Sequence, residues 1–190
     1  MAHDIPLALL TFIKYLSKPV LKFYYDQIKK AAPLENAVDN FWNNTLPHYF
    51  MQDKFYGIEQ EQRSLEGAIE ARADCFIRYI RHGYPIKVIL METRRRGSEA
   101  QQSTWEQAVR QLTNYLKLVR TEQHQHAADE ILYAAVTIGT YVRFYYLVPK
   151  ELELRDYKST RTGDYYELKD DEGEVHKILT EFVAKTYHWE

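Results

Sequence analysis

Apolar positions along the chain recur first at helical and then at strand spacing. Leu7, Leu10, Ile13, Leu16, Val20 and Leu21 predict a helix over 6–31, with Pro19 set to kink or divide it. Pro33 then stands at a plausible helix start, Leu34, Val38, Phe41, Trp42 and Leu46 form the apolar stripe of a second helix, and Pro47 ends it. Residues 54–64 read as extended, with a polar composition. Residues 73–80 (ADCFIRYI) are rich in aromatic and β-branched side chains, as strands are. His82–Pro85 (HGYP) supplies a turn, and 86–93 (IKVILMET) is the best strand of the chain. Its nearly continuous apolar run predicts burial on both faces, as in a central strand.

A polar loop (RRRGSEAQQ) leads to a helix that carries Trp105, Ala108, Leu112, Tyr115, Leu116 and Val119 on one side. Ser103 and Glu106 have capping-box spacing, and Glu106 and Arg110 can pair on the exposed side. Residues 131–137 and 141–148 read as strands joined by a hairpin-like Ile-Gly-Thr turn. The tail from Glu151 is charged and closes on an amphipathic stretch around Val175, Ile178, Leu179, Phe182 and Val183. The predicted order is helix, helix, strand, strand, strand, helix, strand, strand, helix: one α/β domain over 1–190, with an α+β mixed sheet rather than a regular doubly wound one.

Composition narrows the picture only a little. The 25 basic and 27 acidic side chains leave a formal charge of -2, which argues against a basic coat for non-specific nucleic-acid binding. The 16 Tyr predict many half-buried amphipathic rings. The one cysteine, Cys75, excludes an intrachain disulfide and a cysteine-rich zinc site, and reads as a small buried residue. No apolar run approaches the roughly 20 residues that span a bilayer. Asp4, Pro6 and Lys14 argue against a secretory signal, so a cytoplasmic or nuclear location is expected, with no membrane partner. His124 and His126, two residues apart in a polar stretch, read as solvated loop residues rather than metal ligands.

The chemistry-bearing residues follow position 72. Asp74 opens one strand and Glu92 closes the next, while Glu92 and Arg94, two residues apart, leave the same face. Two carboxylates converging at a sheet edge can hold Mg²⁺, which can activate water and stabilise charge on a phosphodiester. A plain ion pair between Glu92 and Arg94 is the simpler alternative, worth about 0–1 kcal/mol if exposed.

An acidic residue opening a strand (Arg72-Ala73-Asp74), then Glu92-Thr93-Arg94 ending the next, then Gln111 and Tyr115 on a helix, resembles the PD-(D/E)xK nuclease-like superfamily. The strand with "YVRFYYL" after Gly139 looks like the closing strand of that core. The layout is also similar to uncharacterised fungal proteins with this core. The resemblance covers roughly residues 33–148. It implies a restriction-endonuclease-like core, helix-strand-strand-strand-helix-strand, preceded by the helix over 6–31 and followed by an extension over 151–190. It also implies a Mg-dependent nuclease acting on DNA or RNA. Asp74 and Glu92 would then hold Mg²⁺ or Mn²⁺, with the Thr93 carbonyl as a third ligand. Arg94 would orient water, Gln111 and Tyr115 would face the site, and a family glutamate would map to Glu35. Two departures stand out: Ala73 replaces the usual Pro, and Arg94 replaces the expected Lys. An arginine does not exchange protons near neutral pH, although it can clamp phosphate, as could the Arg94-Arg95-Arg96 run. The alternative is therefore a catalytically inactive module on the same fold that binds nucleic acid or a protein partner.

Overall fold

A computed structural model describes residues 14–30, 36–60, 74–122, 129–158 and 165–187. Among them are four α-helices and a seven-stranded mixed open sheet. In chain order these are α1 (Pro19–Ile28), α2 (Ala37–Thr45), β1 (Tyr56–Gln60), β2 (Cys75–Arg81), β3 (Tyr84–Arg94), α3 (Gln102–Glu122), β4 (Leu132–Ile138), β5 (Tyr141–Leu147), β6 (Arg155–Asp156), β7 (Tyr166–Glu167) and α4 (Glu172–Thr186). Strands β1 to β6 lie in sequence order, and β7 pairs with β5. Every pairing is antiparallel except β3 with β4, which are parallel and joined through α3. No helix among the described residues is long and apolar enough to cross a membrane.

Local chemistry explains most boundaries. Pro19 takes the first position of α1, where its missing N–H costs nothing, and it holds Lys18 extended. The expected helix over 6–31 is therefore a 3₁₀ turn at Tyr15–Ser17 followed by α1, and residues 1–13 lie outside the described set. The β2–β3 hairpin closes on His82 and Gly83, whose φ of 48° and 79° fit a type I′ turn, so Tyr84 and Pro85 already belong to β3. Gly139, with φ 59°, opens the two-residue β4–β5 turn; a Cβ there would collide with the Glu99 carboxylate. The Ser103 capping box does not form at the start of α3. The helix begins at Gln102, which puts Ser103 inside its first turn, while Glu106 accepts a hydrogen bond from Gln102 at 3.3 Å. The Trp105 indole, donating to Glu99 O at 2.8 Å, anchors this end instead.

Two apolar cores flank the sheet. One gathers α1, α2 and α4, with Phe41, Trp42, Ile89, Met91, Phe144 and Phe182 among its members; the other lies under α3 and includes Phe76, Leu90, Leu112, Leu116 and Val136. The β2–β3 register slips between Ile77 and Arg78, which face Ile89 and Lys87. Val88 is thus an extra residue, and both Val88 and Ile89 join the α2-side core. Beyond this bulge the alternation is regular: Leu90, Glu92 and Arg94 face α3, and Met91 and Thr93 face α2.

Candidate functional site

The residues singled out in the sequence gather at the carboxyl end of β3, but on two different faces. On the α3 face, one Arg94 nitrogen lies 2.7 Å from Glu92 Oε1 and donates to Gln111 Oε1 at 2.5 Å. Glu92 is 1% exposed. The pair predicted from same-face spacing therefore exists, with a carboxylate removed from water, so its energetics are those of a buried charge and not of an exposed bridge. Tyr115 lies one turn further along α3 and meets another group: Lys87 Nζ donates to its hydroxyl at 3.3 Å and sits over the Tyr115 and Phe76 rings. Gln111 and Tyr115 thus serve two neighbourhoods, one at Arg94 and one at Lys87.

On the α2 face the acidic groups converge. Asp74 Oδ2 accepts the Thr93 backbone N–H at 2.7 Å and lies 3.0 Å from the Thr93 hydroxyl. The same hydroxyl touches Asp39 Oδ1 from α2. It has one hydrogen for two carboxylates. Burial first, and then the Asp74 charge, hold the Asp39 carboxyl above the ordinary carboxylate value, against the opposing hydrogen bond from Thr93. Asp39, Asp74 and Thr93 line two adjoining pockets. One, of about 210 Å³, also has Trp42, Asn43, Gln60 and Cys75 in its wall; the other, of about 270 Å³, extends to Asn36, Arg94 and Arg95. Burial, aided by Asp74 and Asp39, pushes the Cys75 thiol up to about 12, so it is an inert wall residue at neutral pH.

Asp39 was not among the residues expected here. Glu35, the position suggested on this helix, lies outside the described residues, and Asp39 comes four positions after it. The spacing Asp39, Trp42, Asn43 marks one helical face and could have pointed to it. His124 and His126 also lie outside the described residues.

As arranged, Asp74, Glu92 and the Thr93 carbonyl do not fit a divalent cation. Glu92 is held against a guanidinium, while the Asp74 carboxylate accepts from Thr93, whose side chain leaves the opposite face. Among the described residues no three His, Cys, Asp or Glu side chains group to hold a metal. Two arginines of the run are engaged by the protein itself: Arg94 by Glu92 and Gln111, and the exposed Arg96 by the Lys29 and Lys30 carbonyls at the end of α1. Compared with known proteins, the chain matches no family model, no curated protein and no solved structure.

Proposed function

We propose that the chain is a nuclease-like domain, similar in layout to metal-dependent phosphodiester hydrolases, in which hydrolysis is lost or strongly reduced and binding to nucleic acid or to a protein is the remaining role. The observation that carries this reading is the Arg94 guanidinium at 2.7 Å from Glu92 and 2.5 Å from Gln111. A lysine amine at this position could shed a proton and orient water, whereas a guanidinium keeps its charge and its planar contacts. With Arg94 in place, the positive charge opposite Glu92 is supplied by the protein itself. A Mg²⁺ or Mn²⁺ ion would have to displace it.

Purified protein incubated with single- and double-stranded DNA and RNA, in Mg²⁺ or Mn²⁺, is expected to cleave no faster than its Asp74→Ala and Glu92→Ala variants. Metal-dependent cleavage by the wild type that disappears in both variants would overturn the reading and establish an active nuclease. An increase in cleavage in Arg94→Lys would support it further, because only the residue type at the third position would have changed.

A further inference from the structure

Among the described residues, strand β1 ends the sheet, and its main chain offers an edge beside a groove. Ile80 N donates to Phe55 O at 2.9 Å, and Phe55 precedes the Tyr56↔Tyr79 pair. In an antiparallel ladder the bonded pairs alternate, so the main-chain groups of Tyr56, Ile58 and Gln60 point away from β2. The Tyr56 N–H fits this, since it turns outward to Met51 O at 3.3 Å. Ile58 and Gln60 have no further main-chain partner among the described residues. The side chains of these two residues line a groove of about 750 Å³ with Pro47, Phe50, Met51 and Asp53. That groove shares Asn43 and Gln60 with the pocket of Asp39 and Asp74. Neither lining contains a lysine or arginine.

We propose that β1 is a docking edge for an extended peptide of a partner protein, which adds as a strand and places an apolar side chain over Ile58 and a lysine or arginine near Gln60, toward Asp39, Asp53 and Asp74. Main-chain bonds to Ile58 and Gln60 supply affinity, and the groove selects alternate side chains. The two subsites are two residues apart along β1, roughly 6.6–6.8 Å, so an apolar residue and a basic residue at i and i+2 match them on one face. Asp53 in the groove, with Asp39 and Asp74 in the pocket beside it, disfavours a phosphate backbone at this edge, and the arginines Arg94 and Arg95 line only the further pocket. β1 also lacks the lysine or proline that commonly guards such an edge, and Glu59 on its other face is engaged by Arg78 at 2.7 Å. The proposal goes beyond the nuclease-like reading and survives its failure: cleavage by the wild type would end that reading and leave this edge untouched.

The test titrates the full chain with a dye-labelled, end-blocked heptapeptide carrying valine and lysine at i and i+2 in a threonine–serine background. The same peptide with glutamate for lysine, and a thymidine oligonucleotide, serve as comparisons. The lysine peptide should saturate, shift the backbone amide resonances of Ile58 and Gln60, and bind more tightly than both others. Reversing one exposed charge with Asp53→Lys should weaken it about two- to fivefold. Ile58→Pro, which removes an outward N–H at a position where an edge strand tolerates proline, should abolish binding. Equal affinity for the lysine and glutamate peptides, preference for the oligonucleotide, or unchanged binding in Asp53→Lys would overturn the proposal. If Ile58→Pro fails to fold, Asp53→Lys decides.

Discussion

At the end of β3, adjacent residues of one strand meet opposite electrostatic conditions. On the α3 side, Glu92 is buried against Arg94, and Gln111 holds the guanidinium in place. On the α2 side, Asp39 and Asp74 converge on the hydroxyl of Thr93, and their like charges help to raise the Asp39 carboxyl. The first arrangement pairs a buried carboxylate with a guanidinium; the second sets two carboxylates on one hydroxyl and opens onto pockets, one of which also has Arg94 and Arg95 in its wall. The alternation of side chains in β3 is what separates them, because Thr93 lies between Glu92 and Arg94 and faces the other way.

The strongest way to break this contrast is to remove the guanidinium. Arg94→Ala should cost about 2–3 kcal/mol, at or just below the roughly 3–5 kcal/mol for breaking a fully buried pair, because Arg94 itself remains partly exposed. Urea unfolding would show this as a lower midpoint with an unchanged slope. Replacing both partners, Glu92→Leu with Arg94→Leu, should cost less than Arg94→Ala alone, since no buried carboxylate is left to stabilise. A loss well under 1 kcal/mol in Arg94→Ala would mean that the other contacts of Glu92 carry its charge, and the α3 side would no longer rest on this pair.

The α2 side should respond in the opposite direction. Asp39 is held above its ordinary value, so over that window the folded state binds more protons than the unfolded one, and stability falls as pH rises through it. Below the ordinary carboxylate value both states are protonated and no penalty remains. Asp39→Asn should therefore stabilise the protein at pH 7, and the gain should vanish as pH drops below the ordinary carboxylate value, about 4. Thermal unfolding of the two proteins between pH 3 and 7 measures the difference. A gain that persists at pH 3 would show that the effect comes from packing and not from charge.

How far these two sides could be read in advance depended on distance along the chain. The β3 run, the His82–Gly83 turn, the Gly139 turn and the apolar stripe of α3 are local patterns, and each corresponds to an observed element. The spacing of Glu92 and Arg94 likewise announced a shared face. Features set by long-range packing were not legible. The two-residue strands β6 and β7 exist because β5 offers them an edge, and the start of α3 is set by Trp105 reaching Glu99 rather than by Ser103. The burial of Glu92 under α3 turned an apparently ordinary surface pair into an enclosed one. The helical face of Asp39 is legible from its spacing with Trp42 and Asn43, but its meeting with Thr93, 54 positions away in sequence, is made only by the folded sheet.

The smallest expected effect uses Cys75 as a probe of the open side. The chain has one cysteine, and it lies in the wall of the pocket formed by Asp39 and Asp74, so alkylation reports on that pocket alone. With its thiol pushed up to about 12, Cys75 should react very slowly with iodoacetamide at pH 8 in the folded protein and rapidly once unfolded. Asp74 and Asp39 both oppose formation of the thiolate, after burial. Removing one of these charges by Asp39→Asn should therefore speed the native reaction by about two- to threefold, as expected for a charge a few ångströms away in a partly solvated pocket. Arg94→Lys, which keeps the charge on the other face of β3, should leave the rate unchanged. If both variants accelerate alkylation equally, the probe is reporting a general loosening of the sheet end, and the two faces are energetically coupled despite their separate contacts.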